Sequence, residues 1–583
     1  MDYPHSPSTS PTAAQQWGHG NLPCYPYPIK TNVHQPGVDG HLAFANDAAA
    51  KWSETSAAPA SLSTPPLSQP SSIHLPEENV WSAFTNLQSE GSTPQGMNPQ
   101  AFLPGFIKPL PAMINPATLE CLHLNGVFAL ANPPLQNALL GAFAECVLPS
   151  MPIVEWQNLF HAIHGGDGQH GSVSLLLYHA IMVSATTFVD IGYIVEAGFS
   201  SRQEAQESFF QKARLLYQAN IESDSLIIVQ SFLLMTYRLD TADGDDSRHL
   251  VGIAIPTALS IGLFQDVSQA INFPYRPTLW RRIAWACHVV DCQIALRLRR
   301  RPIIQRADFC HQMISEDDFE LHHQNLAMAH ELSPYHNFAA KRELALMFIA
   351  NARLSVCIRN VLDVQCKESQ LRASTSPATP TSAVSDDSDY SQSVFISERM
   401  LSEWANSLPV NFQTTPQNQE EEAAITVQRS LLHMTFYTTI AVFHQARPFP
   451  SSNFCVQHAS RQITLVAFDL HRRNLHRRLP IVGVTGILVA LVIHISEMKA
   501  PPSPQKDEAT KNFQLGLEMM ASLRDVYSEA NRVTSWALKF IQQTSVLSDS
   551  PLHGFQSQNR GFGKASGMLQ SVGSAESIGS ASE

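Results

Sequence analysis

The sequence predicts an all-α protein: a multi-helix array with a disordered N-terminal arm and a disordered C-terminal tail. Three observations predict it. From about residue 116 to residue 545, apolar residues recur at the three- and four-residue spacing of buried helix faces. No series of alternating apolar and polar residues marks a strand. Finally, 44% of the 583 residues are hydrophobic and only 15% charged, which leaves apolar surface for a large core and excludes a charge-rich disordered chain.

Residues 1–115 read as the arm. The first hundred residues hold fourteen prolines and thirteen serines, a composition that buries too little apolar surface to offset the entropy of ordering. One stretch within the arm differs, PEENVWSAFTNLQSEG. There Val80, Trp81, Phe84 and Leu87 fall on one helical face, with Glu77, Glu78 and Glu90 beside them. Acidic, aromatic segments of this kind fold into grooves on partner proteins. Docking on the protein's own body would use the same face.

Residues 116–366 read as the first part of the helical body. Ser201 and Glu204 have capping-box spacing ahead of an apolar-periodic run containing Phe209, Phe210, Ala213, Leu216 and Tyr217. The next run, Leu226–Met235, is apolar on nearly every side, as in a central helix. Helical spacing also marks Leu175–Val189, Ala254–Leu263, Trp280–Leu298 and Lys341–Leu362. Residues 367–394 read as a disordered Ser/Thr/Pro-rich acidic loop. Residues 395–546 hold the second part, with helices over Ala424–Ala446, Cys455–Leu475 and Phe513–Thr544, and 547–583 a Ser/Gly-rich tail.

Leu479–Ile495 needs a membrane test, because it is apolar and follows the basic stretch HRRNLHRR. It falls short of ~20 residues and carries Pro480, Gly483 and Gly486. A buried core helix is the expectation. The N-terminus lacks a basic, apolar leader pattern. The nine cysteines are scattered with no CxxC pair, which fits free thiols in a reducing compartment.

Chemistry-bearing motifs are few. GxSxG, HExxH and a glycine-rich phosphate loop do not occur, so no enzyme and no cofactor is expected. His161, His164 and His170 have a spacing that can reach one metal ion, but no carboxylate completes the set and ordinary loop histidines are the expectation. The net charge of −12 argues against general polyanion binding. No arginine precedes Arg202, and the only lysines before it are Lys30, Lys51 and Lys108, so the first third cannot neutralise several DNA phosphates.

Six motifs in order carry a family resemblance. They are LLGAFAECVLPSMPIVEWQNLF (139–160), SVSLLLYHAIMVSATTFV (172–189), AQESFFQKARLLYQANIESDSLIIVQSFLLMTYRLD (205–240), GIAIPTALSIGLFQD (252–266), WRRIAWACHVVDCQIALRLRRRPIIQRADFCHQMISEDDFE (280–320) and LLHMTFYTTIAVFHQARPF (431–449). Together they resemble the fungal-specific transcription factor domain, or middle homology region, of zinc-cluster regulators, and most nearly its cutinase-factor group. The resemblance implies an all-α regulatory domain, a nuclear protein, and control of a pathway such as carbon use, lipid use or a secondary-metabolite gene cluster. Such regulators usually open with six cysteines sharing two zinc ions, which place a helix in the DNA groove. Here Cys24 alone precedes Cys121. The resulting expectation is a regulator without its own zinc-cluster reader. It acts through a DNA-bound transcription factor or as a homodimer, recruits the transcription machinery, and needs no membrane. The alternative is a metabolite sensor or an inhibitory decoy that sequesters a complete regulator, with a cavity lined by Leu226–Met235 and Ile481–Ile495.

Two basic runs are candidates for nuclear import. The first holds Arg299, Arg300 and Arg301 within RLRRRPIIQR; nucleic-acid contact, or ion pairing with Asp308, Glu316, Asp317, Asp318 and Glu320, are its other readings. The second holds Arg472, Arg473, Arg477 and Arg478 within HRRNLHRR, where no such acids are expected nearby, and a solvated helix end is the other reading.

Overall fold

The computed structural model describes residues 103–238, 246–266, 276–319, 321, 337–374, 383–413, 422–445, 447 and 450–544. Among them are seventeen α-helices and no strand; a single parallel bridge joins Ile107 and Val173. The all-α expectation holds.

The first core is built on α1 (Pro116–Leu124), α2 (Pro133–Ala142), α3 (Trp156–Gly165), α4 (Leu175–Thr186), α5 (Ile191–Glu196), α6 (Arg202–Gln218), α7 (Ser225–Met235) and α8 (Asp246–Ser260). All twelve residues of α4 are buried, and α2, α6 and α7 pack around it. This explains why the sequence of α4 has no polar face. A π-helical turn, Phe143–Val147, continues α2 and carries Glu145. Ser201 caps α6 by accepting from the Glu204 amide at 3.1 Å. The Glu204 carboxylate, however, takes the amide of Ser200 at 2.7 Å rather than that of Ser201, so the expected box closes one residue early.

Two long helices, α9 (Pro277–Leu298) and α10 (Phe338–Ser374), join this core to the next. α10 is a shared wall. Its Ala345, Phe348, Ile349 and Ala352 belong to the first core, and Leu344, Met347, Leu354 and Ile358 to the second. Next come α11 (Ala383–Ser407), α12 (Val410–Gln413), α13 (Ala423–Gln445), α14 (Pro450–Arg472), α15 (Ile481–Met498), α16 (Pro504–Ser522) and α17 (Ser528–Thr544). α13 packs on α10, α14 and α15, and α16 closes over α14 and α15.

The apolar segment after HRRNLHRR is α15, a core helix as expected. Both α15 and most of α10 are long and apolar enough to cross a membrane, but each is mostly buried by its neighbours within the fold. The glycines of α15 serve close helix contact. A Cβ at Gly486 would stand 2.9 Å from Oγ1 of Thr438 on α13, and one at Gly516 of α16 only 2.7 Å from Leu491 of α15.

Two boundaries differ from the expectation. The arm does not extend to residue 115: Phe106 and Ile107 are buried, and the Val173 amide donates to the Phe106 carbonyl at 2.7 Å. Residues 367–374 and 383–394 are helical, extending α10 and opening α11. The first stretch, KESQLRAS, is rich in helix formers. The segment around Trp81 and the tail from residue 547 lie outside the described residues.

Candidate functional site

The tryptophan–arginine motif at the start of α9 is a clamp. Trp285 donates its indole N–H to the Gln312 carbonyl at 2.9 Å, and Arg281 pairs with buried Asp318 at 2.6 Å. Further along α9, buried Asp291 accepts the amides of Ile303 and Ile304 at 2.9 and 2.8 Å. Arg359 of α10 donates to the Ile304 carbonyl, and its charge also stands near Asp291. Burial raises the Asp291 carboxyl above the usual range, against the pull of those two amides. The clamp therefore fixes the chain as it leaves α9.

That exit is the first basic run. Arg299 occupies the left-handed region at φ 52°, ending α9, and the Arg300 amide returns to the Ala295 carbonyl at 3.0 Å. The Arg299 guanidinium donates to Gln445 at 3.2 Å. Arg300 and Arg301 are exposed, and neither makes an ion pair among the described residues. The acids that follow in sequence are taken elsewhere: Asp318 by Arg281, and Glu316 by Arg342 at 2.5 Å. Arg306, the last arginine of the run, pairs with Asp363 of α10 at 2.9 Å. Ion pairing therefore holds that end of the run through a distant acid, while Asp318 and Glu316 go to Arg281 and Arg342.

The second basic run is also a helix exit, but it is occupied. Asn474, at φ 58°, ends α14, and the Leu475 amide returns to the Leu470 carbonyl at 2.9 Å. Arg472 and Arg473 both face Asp469, at 3.1 and 2.9 Å. Arg477 pairs with Asp525 at 2.8 Å, and Arg478 crosses to Glu145 of the first core at 2.7 Å. The expectation that this run lacks nearby acids is corrected. Asp469 precedes it by two residues, and folding brings Asp525 and Glu145 to it from distant positions.

A feature not singled out in the sequence is a cleft of about 1040 Å³ between the two cores. Ile314, Phe319, Leu346, Trp404 and Phe412 line its apolar floor, while Met313 and Phe338 are exposed at its edge. Arg353, also exposed, makes no ion pair among the described residues. No spacing rule marks this site, because its walls come from the 313–321 segment, α10 and the α11–α12 corner. The helices expected to line a cavity, α7 and α15, are mostly buried in the packed core, and Ile481 and Val482 border a small pocket of about 60 Å³ beside Tyr237 and Tyr527.

Several buried histidines hold the frame and are kept neutral. His179 bonds the Val127 carbonyl at 2.9 Å, and burial, helped by Lys212, lowers it to about 3. His288 faces the Ser355 hydroxyl at 2.8 Å, and burial, with Arg359 nearby, lowers it to about 3. Of the three loop histidines, His164 stacks on Phe160 with ring centres 3.9 Å apart. Among the described residues no group of three or more His, Cys, Asp or Glu is placed to hold a metal ion.

Comparison with known proteins places this architecture. Residues 140–406 match the model of the fungal specific transcription factor domain. Cutinase transcription factor 1 beta of Fusarium vanettenii is 37% identical over 480 residues, covering 78% of this chain and 54% of that protein. Transcription factor cpaR of Aspergillus oryzae is 27% identical over 465 residues, 74% of this chain and 76% of that protein. Fusaric acid cluster transcription factor FUB12 of Gibberella moniliformis is 27% identical over 187 residues, 31% of this chain and 26% of that protein. The chain thus spans about half the length of the cutinase factor, at 54%. The tryptophan–arginine clamp falls within the matched residues, and the chain belongs to the fungal specific transcription factor domain family.

Proposed function

We propose that these 583 residues regulate transcription in the nucleus through protein contacts, as a pathway-specific co-activator. Family membership carries the regulatory part of this reading. The protein-contact part rests on charge. Nine scattered cysteines without a CxxC pair give no binuclear zinc cluster within these residues. One of the two arginine runs, 472–478, is committed to carboxylates, and the other leaves three neighbouring arginines, 299–301. Few cations remain for phosphates, and specific DNA binding needs several in one place.

In this reading the helical body meets a DNA-bound transcription factor or a second copy of itself, and the segment around Trp81 recruits the transcription machinery. A Trp81→Ala/Phe84→Ala variant of the full chain, tethered to a reporter promoter, is expected to lose most activation. Unchanged activation would remove that role from the segment. A second reading, a metabolite-sensing or decoy protein, draws on the cleft, which has an apolar floor and a cation at its edge. Deleting the gene separates the two: target transcripts fall if the protein is a co-activator and rise if it is a decoy.

A further inference from the structure

We infer that the turn Arg299–Arg300–Arg301 is the surface by which this protein is taken into the nucleus, held by an import receptor that presents an acidic groove. The inference rests on the nuclear reading above and names the surface that serves it. Within these 583 residues only two stretches place four or more lysines and arginines within ten positions, 297–306 and 472–478. Composition alone does not rank them. Packing does.

A groove of carboxylates gains from a cation that has no carboxylate already, because an internal pair must first be broken and its partner left behind. Capture of the second run would strip Asp525 and Glu145 of their arginines, and with Glu145 a tie between the two cores. Capture of Arg299–Arg301 breaks no ion pair among the described residues, while Arg306 farther along the same stretch stays with Asp363 at 2.9 Å. Arg300 and Arg301 are exposed, and Arg299 gives up only a bond to the neutral amide of Gln445.

The turn is also held ready. Left-handed Arg299 swings the chain out of α9, and immediately afterwards Pro302 and Ile304 are buried, with Asp291 gripping the amides of Ile303 and Ile304. Three arginines thus stand on a fixed base, which lowers the ordering cost of binding. Duplex DNA is the weaker match. Three cations neutralise about three phosphates, too few to hold a duplex at physiological salt.

The test uses the full chain fused to a fluorescent protein in fungal cells. The wild type is expected in the nucleus. Arg300→Ser/Arg301→Ser should lower the nuclear-to-cytoplasmic ratio on the order of tenfold, with an unchanged melting temperature, and Arg300→Lys/Arg301→Lys should restore it. Arg472→Ser/Arg473→Ser should keep the wild-type ratio. An Arg300→Ser/Arg301→Ser protein that stays nuclear would overturn the inference while leaving the nuclear reading intact. A wild type excluded from the nucleus would overturn both. With purified components, an acidic-groove import receptor should capture the wild type and not the serine variant. Arginine-dependent capture of a random-sequence DNA duplex, with no capture of the receptor, would overturn the assignment in favour of nucleic acid.

Discussion

The two arginine runs of this protein share a composition and a backbone device, yet they meet opposite surroundings. Each lies at the C-terminal end of a long helix, where the macrodipole favours cations. Each turns through a left-handed residue, Arg299 in one and Asn474 in the other, followed by an amide that reaches back to the last helical turn. After the turn they diverge. The 299–301 run leaves α9 over a clamp that grips backbone, with Arg299 bonded to Gln445 and Arg300 and Arg301 left in solvent. The 472–478 run enters the seam between the cores and meets Asp469, Asp525 and Glu145. Positive charge on a sequence therefore becomes binding surface or structural tie according to what the topology sets opposite it.

Several measurements break or sharpen this contrast, and the largest effect is expected from acid. Burial holds His179, His288 and His444 at about 3 in the folded protein, while the unfolded chain titrates near the ordinary value of about 6.5. Between those values the unfolded state binds more protons, so stability falls as pH drops from about 6.5 towards 3. Urea midpoints measured from pH 7.5 to pH 4.5 should decline steadily; a flat profile would contradict neutral burial of these rings. Next in size is Asp291→Ala, which orphans the buried Ile304 amide and the half-buried Ile303 amide and removes the carboxylate near Arg359. It is expected to cost about 3 kcal/mol in urea unfolding and to loosen the 299–301 turn. Arg478→Ala removes the tie to Glu145. Both partners are partly exposed, so the expected loss is about 0.5 kcal/mol, shrinking with added salt. Arg300→Ala/Arg301→Ala should leave the melting curve unchanged. If it destabilised as much as Arg478→Ala, the contrast between the two runs would fail.

Much of the fold was legible in the sequence because local spacing encodes it. The uniform apolarity of α4, α7 and α15 marked central helices, and the short, glycine-bearing run of α15 marked a core element rather than a membrane span. Residues 367–374 and 383–394 were less legible, because serine, threonine and proline content outweighs the helix formers around Lys367. The candidate sites were less legible. That Asp469 serves the second run was visible two residues away, but Glu145 and Arg478 are more than three hundred residues apart, and only folding brings the π-turn after α2 to the segment that precedes α15. The cleft is of the same kind: Phe319, Trp404 and Phe412 come from separate elements, and no spacing rule joins them.

The central claim is that these residues act on genes through proteins rather than by gripping DNA themselves. A mobility-shift titration of the purified 583-residue chain against its target promoter at ~150 mM salt tests this most directly. The account expects no shift by the chain alone, and a shift once a DNA-bound partner is added. A tight complex with the chain alone, weakening steeply as salt rises, would contradict it.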